Sequence, residues 1–453
     1  MDKSIILVMF VTIMLLFNKE LKDLFIYYYL PVQILIPVYY QTKLVDGIPE
    51  MAFWSAVLLP IAFVWFFNQH CEGYRFSLLE LFIILHLLCV FGGEWHNTTY
   101  KEAQKVFYND LTIRMIPFLM ARAWFSDPDS RLKMFRVIVI IGAIVALFQL
   151  WEAVTWNNVF DMYLRRWWPK SVPWGARMMR GGIKRAAGPF GHPICAGYFF
   201  AMFTPLAVWL WKNDYFKVKK HGLWATCLCV VGGLSSYSRA PIAGILIGFV
   251  VIWYGWQERK TVPTMVLASL LTVLAILVAP KIIEYINVDR SSAETEDQRN
   301  AAYRAELLEN YDEVIAEKPL FGWGRFGVPV VKGQDSIDNE YLVIILQSGR
   351  VSYYAYLLCI VWVVIRLSFF VIFKDPLTLE ARLGWGLLAG VVAAAFTQAT
   401  VYSGTQTVQF FYILLGFAEG LMQLRTFEGS KQSVVPARIL GGEEYGYHFH
   451  RTL

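Results

Sequence analysis

The chain has 453 residues, of which 57% are hydrophobic, 16% aromatic and only 17% charged. A soluble globular protein carries about 25% charged residues, so this composition excludes an ordinary soluble domain. The formal net charge of +6 is modest, and no run of Lys and Arg interleaves with aromatic residues, so we expect no nucleic-acid partner. The six cysteines lie mostly in apolar segments without zinc-ligand spacing, and we expect them to be buried.

The apolar residues fall in repeated blocks of roughly 17–25 residues, the length that crosses a ~30 Å hydrocarbon core. We therefore predict an all-α, polytopic membrane protein of about 12 or 13 transmembrane helices. The first block lacks a small-residue cleavage site, so we expect an anchor rather than a removed signal; whether it spans the membrane or lies in its interface stays open. The blocks are 4–17, 24–41, 51–67, 76–92, 105–125, 135–156, 191–211, 222–236, 239–257, 262–280, 351–373 (with a start as early as Tyr341), 383–400 and 404–423.

Successive connections between spans alternate between the two sides of the membrane. The short connections on one of these sides are rich in Lys and Arg, which predicts that this side is cytoplasmic. The long connections 157–190 and 281–341 then face outward. The predicted organisation is 1–156 (transmembrane), 157–190 (basic outer loop), 191–280 (transmembrane), 281–341 (large outer loop), 342–424 (transmembrane) and 425–453 (cytoplasmic tail). The basic residues are Arg131, Lys133, Arg136, Lys212, Lys217, Lys219, Lys220, Arg259, Lys260, Lys374 and Arg382.

The large outer loop contains a predicted amphipathic helix over 295–318. Thr295 is a suitable N-cap and Pro319 ends the helix. The glycine-rich segment "PLFGWGRFG" (319–327) follows, and we expect its backbone to lie close to a ligand. The apolar residues of the helix fall on one face, and they are Leu307, Leu308, Tyr311, Val314 and Ile315.

The outward segments carry isolated cations. Lys184 and Arg185 adjoin the tight turn "GPFGHP", whereas Arg165 and Arg166 fit an interfacial helix equally well. Arg239 lies in "SSYSRAP", a connection with almost no loop and no acidic neighbour in sequence. Such a cation either binds an anion or extends toward the membrane interface.

Three arginines on separate outward segments, Arg185, Arg239 and Arg304, can bind phosphate oxygens bidentately and remain charged at any working pH. A carboxylate beside them, Asp338, would stay ionised and could accept a proton from a hydroxyl. This combination predicts a lipid-phosphate donor and a hydroxyl acceptor at the outer membrane surface.

The order of "KRAAGPFGHP", "SSYSRAP", Arg304, "PLFGWG" and "SIDNEYL" over residues 180–372 resembles the O-antigen ligase and polymerase superfamily, which includes WaaL-type ligases and Wzy-type polymerases. The resemblance implies a GT-C-type membrane glycosyltransferase without metal or other cofactor. Such an enzyme transfers a glycan from undecaprenyl diphosphate to an acceptor hydroxyl at the periplasmic face of the bacterial cytoplasmic membrane. Its implied partners are the lipid-linked donor, a glycan or lipid-linked acceptor, membrane lipids, and a chain-length regulator or flippase.

Residue by residue, Arg185, Arg239 and Arg304 match the family's diphosphate-binding arginines. Asp338 stands where ligases commonly place a histidine before Asn-x-Tyr-Leu, and this departure favours a polymerase. The acid would act as catalytic base, with a helix N-cap as the alternative role for Asp338 or Asn339.

Five further residues are predicted as possible substrate contacts. Arg114 is an intramembrane charge, for which reaching toward the interface is the alternative. His192 could donate to a sugar or cap the next helix. The other contacts are Lys184, Asn339 and Tyr341.

We expect no catalytic role for three further ionisable residues. We expect Glu340 to be solvated, because it points away from Asp338 at i+2. Glu80 and His86 lie in one span without a second pair to complete a metal site, so we expect structural roles for both.

Two other functions remain open. A ligase acting on lipid A-core or protein uses the same chemistry. A polysaccharide or lipid transporter would also need many helices, but transporters place their distinctive charges near mid-membrane, whereas here they lie in outer loops.

Overall fold

The computed structural model describes residues 2–38, 40–43, 49–67, 74, 76–167, 178–216, 218–273, 276, 292–293, 295–334 and 336–423. The predicted tail 425–453, Lys217 and Cys71 lie outside this part of the chain. The helices are α1 (Asp2–Leu16), α2 (Leu21–Leu24), α3 (Leu30–Leu35), α4 (Phe53–Phe67), α5 (Leu78–Asn97), α6 (Tyr100–Asp110), α7 (Ile116–Phe125), α8 (Pro128–Thr155), α9 (Val159–Trp167), α10 (Pro193–Lys212), α11 (Lys219–Ser235), α12 (Arg239–Gly255), α13 (Thr261–Val273), α14 (Glu296–Glu317), α15 (Glu340–Ile372), α16 (Leu379–Gln398) and α17 (Gly404–Met422).

The remaining regular elements are short. A π-helical turn joins α2 to α3 (Phe25–Tyr29) and another joins α6 to α7 (Leu111–Met115). Two antiparallel hairpins pair β1 (Gln41–Thr42) with β2 (Met51–Ala52), and β3 (Met179–Arg180) with β4 (Ile183–Lys184).

Each of the thirteen predicted apolar blocks overlaps a helix in the described chain, and the protein is an all-α, polytopic membrane protein. Within the described residues, five helices are long and apolar enough to cross a membrane by length and composition alone: α5, α8, α10, α15 and α16. Four shorter apolar helices lie at Ser4–Leu16, Phe53–Phe67, Arg239–Gly255 and Thr261–Leu270. The number of 12 or 13 crossings stays a prediction.

One boundary differs from expectation: the block 24–41 is helical only to Leu35, after which Gln41 begins a hairpin strand. The block 351–373 takes the early start that was predicted near Tyr341. Its helix begins at Glu340, and Asn339 caps it by accepting a hydrogen bond from the Leu342 N–H at 3.1 Å.

Helix α10 forms the centre of the fold and is buried along nearly its whole length. It packs against α8, α11, α12, α16 and α17. Helix α15 packs mainly against α5, and α7 against α17. Four of the five described cysteines are buried as expected, but Cys227 is exposed.

The basic connections meet at one end of the helices. Arg136 bonds the Tyr215 carbonyl, Trp209 Nε1 donates to the Leu379 carbonyl at 3.3 Å, and Trp256 Nε1 donates to the Arg382 carbonyl at 3.1 Å. The described parts of the predicted outward segments 157–190 and 281–341 meet at the other end, where the charges of Arg185 and Arg304 interact.

The amphipathic helix is present as α14. The Thr295 side chain caps it by accepting from the Gln298 N–H at 3.1 Å. Leu307 and Tyr311 are buried against Leu342 and Leu346 of α15. Leu308 is 55% exposed, so its assignment to the buried face was wrong.

Candidate active site

A tight hairpin carries the first group of basic residues. The strand register pairs Met179 with Lys184 and Arg180 with Ile183. The two turn residues have positive φ, 54° at Gly181 and 79° at Gly182, as a two-residue type I′ turn requires. The sequence "RGGIK" therefore folds back on itself and brings Arg180 near the start of the following segment.

Lys184 lies inside the protein. Its side chain is 5% exposed and its Nζ is 3.9 Å from Glu152 Oε1. The other Glu152 oxygen accepts hydrogen bonds from the N–H groups of Ala187 and Gly188 at 3.1 and 2.9 Å. Lys184 and Glu152 thus fix the loop that leads to Arg185.

Arg185 is held by the short connection between α11 and α12. Its Nη2 donates to Ser238 Oγ at 2.8 Å, and its Nε donates to the Ser236 carbonyl at 3.4 Å. The Ala186 N–H also donates to the Ser235 carbonyl at 3.0 Å. The serines of "SSYSRAP" therefore join the two outward segments.

Two more arginines lie at this junction. Arg239 is the first residue of α12 and its side chain is exposed. Arg180 Nη1 lies 3.5 Å from the Tyr237 carbonyl in the same connection. Arg180 was not predicted as a site residue, although the Gly181–Gly182 turn is a recognisable hairpin signal.

Arg304 approaches from the large outer loop. Its neighbour Tyr303 joins α14 to the segment before α15: the Tyr303 hydroxyl donates to the Ser336 carbonyl at 2.5 Å and accepts from the Ser336 N–H at 2.9 Å. These bonds fix Arg304 relative to Asp338, two residues beyond Ser336.

The charges of these separate segments interact. The pKa of Arg185 falls from 12.5 to about 10, mainly because of burial and also because Arg180 and Arg304 lie nearby, whereas Asp338 opposes the shift. Desolvation also lowers the pKa of Arg304, Arg180 and Arg239 lower it further, and Asp338 again opposes this. Four guanidinium groups and the half-buried Asp338 carboxylate therefore form one cluster with an excess of positive charge.

His192 adjoins this cluster and caps α10. Its Nδ1 accepts a hydrogen bond from the Ile194 N–H at 3.1 Å. Burial lowers the pKa of His192 to about 4, and Arg185 contributes to the shift. The ring is neutral near pH 7, and because Nδ1 accepts, the proton is on Nε2.

The residues after Asp338 have mainly structural contacts. Asn339 is the N-cap described above, and the Tyr341 hydroxyl donates to the Ala395 carbonyl at 2.9 Å. Glu340 was expected in solvent but is only 3% exposed. Its carboxylate accepts from the Ser403 N–H at 3.0 Å, so the expectation was wrong because the loop before α17 covers this helix face.

The glycine-rich segment 319–327 contacts a break in α15. Gly349 has φ 79° and ψ 177° and interrupts the helix. The carbonyls of Leu346 and Gln347 accept instead from the N–H groups of Trp323 and Gly324, at 2.8 and 2.9 Å. The glycines were expected to approach a ligand, but the close approach observed is to helix backbone.

Arg114 belongs to a different group of residues. It lies in the π-helical turn after α6, with its Nε 3.8 Å from Asp110 Oδ1 and its Nη1 2.8 Å from His86 Nε2. Glu80 pairs with Arg122 and also caps α5. His86 and Glu80 thus have partners within the helix bundle.

Comparison with known proteins gives one family match. Residues 224–357 match a family model described as O-antigen ligase, and this range contains Arg239, Arg304, the glycine-rich segment and Asp338. No curated protein matches the chain. The match covers less than half of the chain, and over that range it supports the resemblance to the O-antigen ligase and polymerase superfamily.

Proposed function

We propose that the protein is a membrane glycosyltransferase of the GT-C type that polymerises a surface polysaccharide or O-antigen. It takes a glycan from an undecaprenyl-diphosphate carrier and transfers it to a hydroxyl group of a second glycan. The observation that carries the proposal is the cluster of Arg180, Arg185, Arg239 and Arg304 around Asp338.

The arginines would bind the diphosphate of the donor. Guanidinium groups match phosphate oxygens in a bidentate geometry, and four of them with one carboxylate leave an excess of positive charge. Arg185 is already oriented by Ser236 and Ser238, so less conformational entropy is lost when the anion binds.

Asp338 would act as the general base. The acceptor oxygen attacks the anomeric carbon, its proton passes to the Asp338 carboxylate, and the bond from that carbon to the diphosphate oxygen breaks. Undecaprenyl diphosphate leaves with the bonding electron pair, and the anomeric configuration inverts. The arginines stabilise the developing negative charge, so we expect the reaction to proceed without a metal ion.

His192 would contribute a neutral hydrogen bond to the same site. Its Nε2–H can donate to a sugar hydroxyl or a phosphate oxygen, while Nδ1 remains bound to the helix backbone. The His192 side chain can therefore cap the helix and contact the substrate at the same time.

A ligase is the second candidate. The matching family model is described as O-antigen ligase, and a ligase would use the same donor with a lipid A-core or protein acceptor. Asp338, in place of the histidine common in ligases, favours the polymerase. The reaction product distinguishes the two activities, because a polymerase lengthens the lipid-linked glycan, whereas a ligase transfers it to another molecule.

The active site would face the periplasm of a bacterial cell. The basic connections lie at the opposite end of the helices, and the positive-inside rule assigns that end to the cytoplasm. The lipid-linked donor would then be bound in the outer leaflet of the cytoplasmic membrane.

The experiment uses purified protein in nanodiscs, with undecaprenyl-diphosphate-linked repeat units as sole substrate and EDTA present. We expect a longer lipid-linked glycan and release of undecaprenyl diphosphate. Arg304→Lys should slow the reaction by roughly 10²-fold, because a point charge cannot reproduce the bidentate fork.

Arg299→Lys, on the same helix and also exposed, is the matched control and should leave the rate unchanged. Activity that disappears in EDTA and returns with Mg²⁺ would contradict the metal-independent mechanism. An Arg304→Lys enzyme as fast as the control would mean that the guanidinium geometry is not used.

A further inference from the structure

A second polar cavity lies beside the start of α15. Its volume is about 280 Å³, near the lower end of the range for ligand pockets, roughly 300–1,000 Å³. None of the four arginines of the candidate active site lines it. We call it the polar chamber, and its polar lining residues include His86, Asp110, Arg114, Arg325, Glu340 and Tyr402.

The chamber contains opposite charges in equal number among its described lining residues. Asp110 is 1% exposed and its Oδ1 lies 2.5 Å from Arg325 Nη2 and 3.8 Å from Arg114 Nε. Glu340 supplies a second buried carboxylate. Two guanidinium groups and two carboxylates give a net charge of zero.

His86 adds no charge to this balance. Arg114 can only donate, so His86 Nε2 must accept the 2.8 Å hydrogen bond between them. The proton of the ring is then on Nδ1, which lies 2.8 Å from Ser352 Oγ. The imidazole is therefore neutral and fixed in orientation by two partners.

Two buried polar atoms of the chamber lack a hydrogen-bond partner among the described residues: Asp110 Oδ2, an acceptor, and Arg114 Nε, a donor. A buried polar group without a partner destabilises a protein, unless a bound molecule satisfies it. The π-helical turn that carries Arg114 is a distortion that is frequent at functional sites.

An outer cavity of about 310 Å³ adjoins the chamber beneath α14. The two share the lining residues Arg325, Val343, Gln347 and Tyr402. The outer cavity also reaches Ser336 and Ile337, immediately before Asp338. We call these two adjoining cavities the cleft, and its outer part reaches the chain next to the proposed base.

We propose that the polar chamber binds an uncharged sugar residue of the acceptor glycan, an inference that rests on the proposed glycosyl transfer. A sugar hydroxyl both donates and accepts, so sugar hydroxyls match the chemistry of an acceptor such as Asp110 Oδ2 and of a donor such as Arg114 Nε. A phosphate or acidic sugar would face Asp110 and Glu340, and a cationic group would face both arginines.

The cleft fits the acceptor rather than the donor for a geometric reason. In an inverting transfer the acceptor oxygen approaches the anomeric carbon from the side opposite the leaving diphosphate. The arginines assigned to the diphosphate lie outside both cavities, and the cleft reaches the chain beside Asp338, where the acceptor hydroxyl must be deprotonated.

The first test measures whether the oligosaccharide occupies the chamber, and it does not depend on enzyme activity. Thr405 lines the chamber and is half-buried, so Thr405→Cys places a thiol there in a protein whose native cysteines are replaced. The probe is the neutral repeat-unit oligosaccharide released from the carrier lipid by mild acid. It should slow alkylation of this thiol by a small methanethiosulfonate several-fold, whereas inorganic phosphate should not.

The second test measures acceptor use with the free oligosaccharide as acceptor. Asp110→Asn should raise the KM for the oligosaccharide by roughly ten- to hundredfold, the loss expected for a hydrogen bond to a charged group, and leave donor binding unchanged. Glu419→Gln is the matched control, since Glu419 is a buried carboxylate paired with Arg366 outside the chamber. Its acceptor KM should not change.

Unprotected Thr405→Cys, or protection by phosphate instead of the oligosaccharide, would overturn the proposal even if Asp110→Asn fails to fold. If Arg304→Lys slows transfer but the thiol stays unprotected, the chamber assignment fails and the proposed function stands. If neither Arg304→Lys nor Asp338→Asn affects transfer, the proposed function fails independently of the chamber.

Discussion

At the scale of single residues, the candidate site depends on contacts between distant parts of the sequence. Arg185 could be singled out because it adjoins the tight turn "GPFGHP", and Arg239 because it lies in a very short connection without an acidic neighbour in sequence. Arg180 could not, because its role requires the Gly181–Gly182 turn to bring it back toward Tyr237.

The burial of Glu340 is also a long-range effect. Its partner, the Ser403 N–H, is 63 residues away in the sequence. The Arg325–Asp110 pair spans 215 residues. Helical periodicity gives the side of a helix on which a residue lies, but not which distant loop covers that side.

A prediction at this scale concerns the pH dependence of stability. The pKa of His192 falls from 6.5 in the unfolded chain to about 4 in the folded protein. Between these values the unfolded state binds more protons, so the free energy of unfolding rises with pH and falls as the pH drops from 6.5 to 4.

His192→Asn removes this titration and keeps a good N-cap. In detergent, the melting temperature of the wild type should fall more steeply between pH 6.5 and 4.5 than that of the variant. Parallel curves would show that His192 titrates alike in both states and is not buried as described.

At the scale of elements, the break in α15 is the feature that organises the outer half of the protein. Kinks in helices usually have a local cause, and here the cause is Gly349 together with the inserted segment 319–327. Trp323 and Gly324 satisfy the helix carbonyls that the break releases. The segment then continues to Arg325, which reaches Asp110.

The sequence predicted the helix, the glycine-rich segment and their proximity to the site. It did not predict that they bond to each other, because an isolated glycine in a helical pattern is compatible with an unbroken helix. The amphipathic α14 was predicted more fully, since its cap, its apolar face and its terminating proline are all local signals.

Gly349→Ala should destabilise the protein. The left-handed φ of 79° is accessible mainly to glycine and costs other residues about 1–3 kcal/mol, and an added Cβ would lie 2.0 Å from the Leu320 carbonyl oxygen. We expect a lower melting temperature and lower yield of folded protein.

Gly386→Ala in α16 is the control, because its Cβ would meet Leu206 Cδ2 at an ordinary 3.5 Å. It should be tolerated. Equal melting temperatures for the two variants would contradict the description of the break.

At the scale of the whole molecule, the apolar composition was the strongest sequence evidence for a helical membrane protein. Each apolar block overlaps a helix in the described part of the chain, because a chain that crosses lipid must satisfy its backbone within helices. Residues 157–190 and 281–341 could be assigned to one face by charge bias alone, and their described parts do meet at one end of the bundle.

The orientation of that end can be measured by accessibility. In a cysteine-free background, Ser292→Cys should react with a membrane-impermeant maleimide in intact spheroplasts, since Ser292 is exposed in the outer loop. Lys220→Cys, exposed in a basic connection, should react only after lysis. The reverse pattern would place the site in the cytoplasm.

The central claim is that Asp338 accepts the proton of the acceptor hydroxyl while the arginines hold the diphosphate. The structure assigns the helix cap to Asn339, so Asp338→Asn removes the base without removing the cap and with almost no change in volume. Asp129→Asn, in the connection at the opposite end, is the control for loss of a carboxylate.

The measurement is the rate of undecaprenyl diphosphate release by the purified Asp338→Asn protein, alongside its binding of the lipid-linked donor. The account predicts a loss of roughly 10²–10⁴-fold in rate, the usual contribution of a general base, with donor binding retained or increased. Release at the rate of the wild type and of Asp129→Asn would show that the base lies elsewhere and would contradict the account.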